Sequence, residues 1–133
     1  MGFQAITNIS CATNALRAFV CKVKLRTSEE FQCAQFLDDL PAIRFWVRNL
    51  PRKATSFRLQ TSKDWFYPDF ICQLTDGRVL AVEYKGKHLY DANDAEEKRT
   101  VGAVWASRSG GRCLFVMPTE GDFSVITRAV TPV

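Results

Sequence analysis

Two adjacent apolar segments that end in charged residues constrain the fold of this chain more than any other feature. Segments 66–71 and 79–85 are separated by a short turn and have the length and apolar content of β-strands. In segment 79–85 both faces begin apolar, which is typical of a central strand covered on both sides. One face then continues into Glu83 and Lys85. Because a buried charge is strongly destabilising unless it is paired or binds a metal, these two side chains require an explanation.

The turn determines which charged side chains face each other. An Asp-Gly pair between the two segments is a hairpin signal, and it allows two registers. A two-residue loop would place Asp69 opposite Tyr84, whereas a three-residue loop with a left-handed Gly77 places Asp69 opposite Glu83. We favour the second register, because directly opposed side chains have Cβ atoms roughly 5 Å apart and two carboxylates at that separation can share a divalent cation. Lys85 then lies on the same face.

Several short motifs accompany the hairpin in a fixed order along the chain. Pro68-Asp69 followed by Glu83-Tyr84-Lys85 looks like the signature of the metal-dependent PD-(D/E)xK nucleases. With its flanking motifs, the pattern resembles the C-terminal endonuclease domain of the restriction (Res) subunit of type III restriction-modification enzymes and related helicase-nucleases, over about residues 28 to 118. The flanking motifs are Glu30-Phe31-Gln32-Cys33-Ala34, Phe45-Trp46-Val47-Arg48-Asn49-Leu50, and Glu97-Lys98 followed by Trp105-Ala106.

The resemblance implies a fold and a chemistry. The fold would be α/β, a restriction-endonuclease-like three-layer α/β/α core with a central mixed β-sheet, and the activity would be that of a DNA endonuclease that depends on Mg²⁺, for which Mn²⁺ can substitute. Asp69 and Glu83 would bind the metal together with the backbone carbonyl of Tyr84, and Lys85 would orient or help deprotonate the attacking water. Glu30 matches an acidic residue that often helps to hold the metal in this family. A helix-capping role is the alternative for Glu30.

Basic residues indicate where DNA would be held. Between residues 41 and 63 there are six basic residues and no acidic one, a local excess that suits a phosphate backbone, although a solvated surface would have the same composition. Lys98 and Arg48 belong to the family pattern, and Arg48 either contacts DNA or supports the site. Lys87 lies next to the signature and could meet a phosphate.

Composition excludes other classes of protein. The five cysteines form no CxxC pair and the chain has one histidine, which indicates reduced, mostly buried thiols rather than a zinc site. We find no membrane-spanning apolar run and no signal peptide, and therefore expect a cytoplasmic protein. No ATPase motif is visible, and the resemblance implies that sequence recognition would come from another subunit, for which a separate helicase/ATPase or methyltransferase is one reading. A homodimer is a reasonable hypothesis, because cutting both strands requires two sites. A DNA-binding or partner-dependent module without cleavage is the alternative function.

The hydrophobic pattern predicts two regions and their elements. Residues 1–26 would form a helical extension, and residues 27–133 would form the nuclease domain. A helix on each face of a mixed sheet follows from the order of helix, strands, helix and strand. The predicted elements are a helix over 28–39, a strand over 43–50, a short strand over 57–61 that forms an antiparallel meander with the hairpin, a helix over 91–108, a strand over 112–117, and an edge strand around 123–126.

Overall fold

The computed structural model describes residues 28–86 and 92–132, so the predicted helical extension and Lys87 lie outside the described residues. The helices are α1 (Ser28–Asp39), α2 (Ala92–Ser107) and α3 (Ser124–Val130). The strands are β1 (Ile43–Arg48), β2 (Leu59–Gln60), β3 (Trp65–Phe66), β4 (Phe70–Leu74), β5 (Val79–Val82) and β6 (Cys113–Val116). None of these helices is long and apolar enough to cross a membrane.

The main sheet is mixed, as the sequence predicts. Its strand order is β1-β4-β5-β6, with antiparallel pairing of β1 with β4 and of β4 with β5, and parallel pairing of β5 with β6. Phe70 pairs with Val82, and the N–H of Leu74 donates to the carbonyl of Arg78 at 2.8 Å. Gly77 has φ +90°, which a glycine adopts without strain. These contacts confirm the register with the three-residue loop.

The two faces of the sheet bury separate apolar cores, which gives the three-layer α/β/α arrangement. Helices α1 and α3 cover one face, where Leu37 and Ile126 pack with Trp46 and Phe70 of the strands. Helix α2 covers the other face, where its Trp105 packs on a smaller cluster of buried residues. Those residues are Phe45, Val47, Phe57, Ile71 and Ala81. Three free cysteines, Cys33, Cys72 and Cys113, are buried, as predicted for reduced thiols.

The prediction of a meander through residues 57–61 is wrong. Strand β1 pairs directly with β4, so no strand lies between them in the sheet. The shorter strand β2 instead pairs with β3 in a separate two-stranded sheet. This small hairpin packs on the α2 side, because Phe57 meets Trp105 at 5.1 Å between ring centroids and Phe66 meets Phe115 at 5.9 Å.

The predicted edge strand around residues 123–126 is also wrong, since this segment begins α3. The sequence of α3 is rich in β-branched residues, which favours a strand by local propensity alone. Packing decides otherwise, because Ile126 and Val130 lie one helical turn apart and are both buried in the larger core. Asp122 supports the start of the helix by accepting a hydrogen bond from the Ser124 N–H at 3.0 Å.

Candidate active site

The charged residues of the signature meet at one end of the sheet, just outside β4 and β5. Asp69 immediately precedes β4 and Glu83 immediately follows β5. The backbone holds both in place, since the Asp69 carbonyl accepts the Asn49 N–H at 2.8 Å and the Glu83 N–H donates to the Val116 carbonyl at 3.1 Å. A strand on each side therefore fixes the position of the two carboxyl groups.

Asp69 and Glu83 form a buried pair of carboxyl groups. Glu83 is 7% exposed, and burial together with the neighbouring Asp69 raises its pKa to about 8. Burial also raises the pKa of Asp69, although the charge of Arg48 opposes this effect. The interaction between the two side chains lowers the pKa of Asp69 and raises that of Glu83.

Arg48 anchors Asp69 from the opposite side of the sheet. Its Nη1 donates to the Asp69 carbonyl at 2.7 Å and to Asp69 Oδ1 at 3.1 Å, while Nη2 lies 3.6 Å from Glu30 Oε2. The guanidinium is buried over the ring of Phe70, 5.6 Å from its centroid. Its Nε has no hydrogen-bond partner among the residues that the structure describes. This burial favours the supporting role of Arg48 over direct contact with DNA.

Two lysines and a second carboxylate surround Glu83. The ammonium groups of Lys85 and Lys98 both lie 3.6 Å from Glu83 Oε2. The same two groups approach Asp94 Oδ2, at 3.4 Å for Lys85 and 3.0 Å for Lys98. Two ammonium groups therefore alternate with two carboxyl groups around a ring of four side chains, which we call the lysine ring. Its inner carboxyl group is that of the buried Glu83, and its outer one is that of Asp94, whose side chain is 47% exposed.

Contacts within the lysine ring shift the pKa values of Asp94 and Lys98. Burial raises the pKa of Asp94, but Lys98 and Lys85 outweigh burial and the net pKa is lowered. Burial lowers the pKa of Lys98, but Asp94 and Glu83 outweigh it and the net pKa is raised. Both groups are thus held in their charged forms, and the ring offers two cations beside the acidic pair.

Tyr84 and Glu30 take different positions from the acidic pair. The Tyr84 N–H donates to Asp69 Oδ2 at 2.9 Å, so the backbone of Tyr84 is at the site. Its side chain points to the other face, where its hydroxyl accepts the Gly121 N–H at 3.1 Å. Glu30 sits on α1 and pairs with Arg48, which places Arg48 between Glu30 and Asp69. Glu30 therefore neutralises part of the charge of Arg48. The alternative role of Glu30 in a helix cap with Thr27 lies outside the described residues.

Asn49 and Asp94 contribute in ways that sequence reasoning missed. The Asn49 amide is buried, where its Nδ2 donates to the carbonyls of Phe57 and Pro68 at 2.8 Å each and its Oδ1 accepts the Phe57 N–H at 3.0 Å. It thereby holds the backbone directly before Asp69. Asp94 could have been found from its spacing of four residues to Lys98, which places both on one side of α2.

The acidic pair fits a hard divalent cation. Two buried carboxyl groups in contact repel each other when both are ionised, and a cation between them removes that repulsion. Residues 28–86 and 92–132 contain no group of three or more His, Cys, Asp and Glu side chains suited to a metal. Two carboxylates nevertheless suit Mg²⁺, which usually keeps several waters and takes one or two carboxylates from a protein.

Comparisons with known proteins find no match to this chain among protein-family models, curated proteins or solved structures.

Proposed function

We propose that this protein is an Mg²⁺-dependent DNA endonuclease that hydrolyses phosphodiester bonds, with Asp69, Glu83 and Lys85 as its catalytic residues. The proposal is carried by one observation, the buried carboxyl pair with a lysine ammonium 3.6 Å from Glu83. Sequence recognition and movement along DNA would come from a separate helicase/ATPase or methyltransferase subunit. Two copies of the chain would cut the two strands of a duplex.

Asp69 and Glu83 would hold the cation, together with the backbone of Tyr84. When bound, the cation would polarise a phosphate oxygen and lower the pKa of a coordinated water. The Arg48 guanidinium and the Tyr84 N–H keep the Asp69 carboxylate in a fixed orientation, so that little reorganisation is needed on binding.

Lys85 supplies a positive charge on the same side as the acidic pair. Its Nζ donates hydrogen bonds but cannot accept one while protonated, so it would orient the attacking water and stabilise the charge that develops on the phosphate. Lys98 brings a second ammonium to the same place, 3.6 Å from Glu83 Oε2. Asp94 contacts both ammonium groups from the solvent side. A phosphate that approaches from solvent would reach the two lysine ammonium groups where they contact Asp94.

A second candidate function is a DNA-binding or partner-dependent module without cleavage of its own. The observation that favours it is the engagement of both lysines by Asp94, because a phosphate would have to compete with a carboxylate for the same donors. In that case a partner subunit would complete the site.

Plasmid cleavage by the purified chain distinguishes the two. The assay compares Mg²⁺ and Mn²⁺ with EDTA, for the wild type, Asp69→Ala, Lys85→Ala and a control, Arg128→Ala, which changes an exposed basic residue on α3. Metal-dependent cutting that is lost in the first two variants and retained in the control would support the nuclease. Salt-sensitive DNA binding without cutting would favour the second function, and neither activity would contradict both.

A further inference from the structure

The β2–β3 hairpin carries an aromatic ring and a guanidinium stacked on each other at the surface. The Cζ atom of Arg58 lies 3.9 Å from the centroid of the Trp65 ring. Trp65 is 40% exposed, whereas its neighbour Phe66 is buried against Phe115. The hairpin therefore needs Phe66 for packing, while the exposed indole of Trp65 adds little to the core.

Exposed basic residues accompany this stacked pair along the chain. Arg52, Lys53 and Lys63 are exposed on the same chain segment as Arg58. Asp64, directly before Trp65, folds back so that its carboxylate accepts the N–H of Trp65 at 2.7 Å. An exposed tryptophan among unburied cations has the composition of a surface that binds a nucleic acid strand.

The hairpin is fixed close to the candidate active site. The Ser62 N–H donates to Glu97 Oε1 at 2.6 Å, which ties the hairpin loop to α2. Lys98 Nζ lies 5.3 Å from the Phe66 ring centroid and 3.6 Å from Glu83 Oε2. Phe66 thus packs beside the lysine ring, and Trp65 lies on the outer side of the same strand. A strand of DNA that crosses the hairpin would reach the acidic pair within a few nucleotides.

We propose that the Arg58–Trp65 stack binds an unpaired base, so that the protein takes DNA with a single-stranded tract, such as an overhang, gap or flap, in preference to continuous duplex. Bases stack on aromatic side chains and guanidinium planes without regard to sequence, and each stacked base contributes about 1–3 kcal/mol. Inside a duplex the base faces are covered by their neighbours and cannot reach the indole. The expectation that the single-stranded tract lies beside the cleaved bond rests on the proposed function. The preference for an unpaired base does not depend on it.

Binding of labelled oligonucleotides in EDTA tests this inference without cleavage. Fluorescence anisotropy would compare a single strand, a continuous duplex and a duplex with an overhang, for the wild type, Trp65→Ala and Arg58→Ala. The matched control is Arg128→Ala, which removes the same charge from an exposed position on α3. Trp65→Leu serves as a second variant that keeps an apolar side chain, and thermal unfolding checks that each variant is folded.

We expect Trp65→Ala and Trp65→Leu to weaken binding of the single strand and the overhang about tenfold, and to change binding of the continuous duplex by less than about twofold. Arg58→Ala should weaken single-strand binding more than Arg128→Ala does. Equal binding of single strand and duplex by the wild type, or an unchanged preference in the Trp65 variants, would overturn the inference. If the protein cleaves plasmid but does not prefer single-stranded DNA, the base-binding role of the Arg58–Trp65 stack is contradicted and the nuclease proposal is not. If it prefers single-stranded DNA but cleaves nothing, the nuclease proposal is contradicted and the base-binding role is not.

Discussion

The hairpin of β4 and β5 carries an Asp–Arg pair at each of its ends, and the two pairs differ in nearly every physical property. At the turn, Arg78 Nε lies 2.7 Å from Asp76 Oδ2 in an exposed, local contact. At the opposite end, Arg48 Nη1 lies 3.1 Å from Asp69 Oδ1 in a part-buried contact between residues 21 positions apart. The pKa of Asp76 is lowered, chiefly by the backbone N–H of Arg78, whereas burial raises the pKa of Asp69.

The comparison indicates that the shorter ion pair, Asp76–Arg78, is not the one that contributes more to stability. Water already solvates Asp76 and Arg78, so their contact adds little to stability. Asp69 has lost most of its water, stands beside Glu83 and depends on Arg48 and the Tyr84 N–H for compensation. Burial therefore makes Asp69 depend on these partners in a way that Asp76 does not.

The largest expected effect comes from removing the charge of Asp69. Asp69→Asn should lower metal-dependent cleavage about a thousandfold, because several kcal/mol of metal-assisted stabilisation is lost. We expect Mg²⁺ or Mn²⁺ to raise the melting temperature of the wild type, and Asp69→Asn should abolish that rise. Asp76→Asn makes the same chemical change at the turn and should leave both measurements unaltered. Equal effects of the two variants would contradict the assignment of the site.

Loss of the buried arginine should be the largest effect on stability. Arg48→Met should lower the free energy of unfolding by about 3 kcal/mol or more, because Asp69 and Glu30 would then be buried without their partner. The measurement is urea denaturation, with Arg78→Met as the matched control. A much smaller loss is expected for Arg78→Met, and a loss equal to that of Arg48→Met would show that burial does not separate the two pairs.

The glycines at the two ends of the hairpin should differ by a smaller amount. Gly77→Ala at the turn should lower the free energy of unfolding by about 1 kcal/mol, because its φ of +90° disfavours a side chain. At Gly86 a Cβ would stand 2.8 Å from Glu29 Oε2, the mobile end of a side chain. Gly86→Ala should therefore cost only a few tenths of a kcal/mol by the same denaturation measurement, since Glu29 can move aside. A larger loss of unfolding free energy for Gly86→Ala than for Gly77→Ala would contradict the view that the turn requires a glycine at position 77.

The smallest effect is expected at the outer carboxylate of the lysine ring. Asp94→Asn should lower both kcat and KM by about two- to fivefold, because Lys85 and Lys98 lose a half-exposed partner and become more available to phosphate. Steady-state cleavage of a short DNA measures both constants. Glu96→Gln removes the same charge from an exposed position on α2 and is the control. A rise in KM for Asp94→Asn would argue against competition between Asp94 and phosphate.

Much of the sheet could be predicted because its signals are local. The loop with Gly77 fixes the register of β4 and β5, and this register brings Asp69 and Glu83 together as expected. Helix α1 has the predicted bounds, and α2 and β6 differ from prediction by one residue at each end where they are described. Lys98 lies beside Glu83, as its place on α2 suggests.

Features set by distant contacts could not be predicted in the same way. The β-branched sequence of α3 resembles a strand until Ile126 and Val130 are known to pack in the core. The burial of Arg48 depends on α1 lying across the sheet, which brings Glu30 within 3.6 Å. Asn49 shows no function in the sequence, because its partners Phe57 and Pro68 belong to segments that only the fold brings together.

The parallel pairing of β5 with β6 sets the order in which the site can form during synthesis. The N–H groups of Glu83 and Lys85 donate to the carbonyls of Val116 and Pro118. On the ribosome, Asp69, Glu83 and Lys85 are all made before the strand that holds this backbone, an interval of several seconds at roughly 5–20 residues per second. A nascent chain that lacks β6 therefore carries every signature residue without an assembled site, so any cleavage activity must wait until β6 has been made.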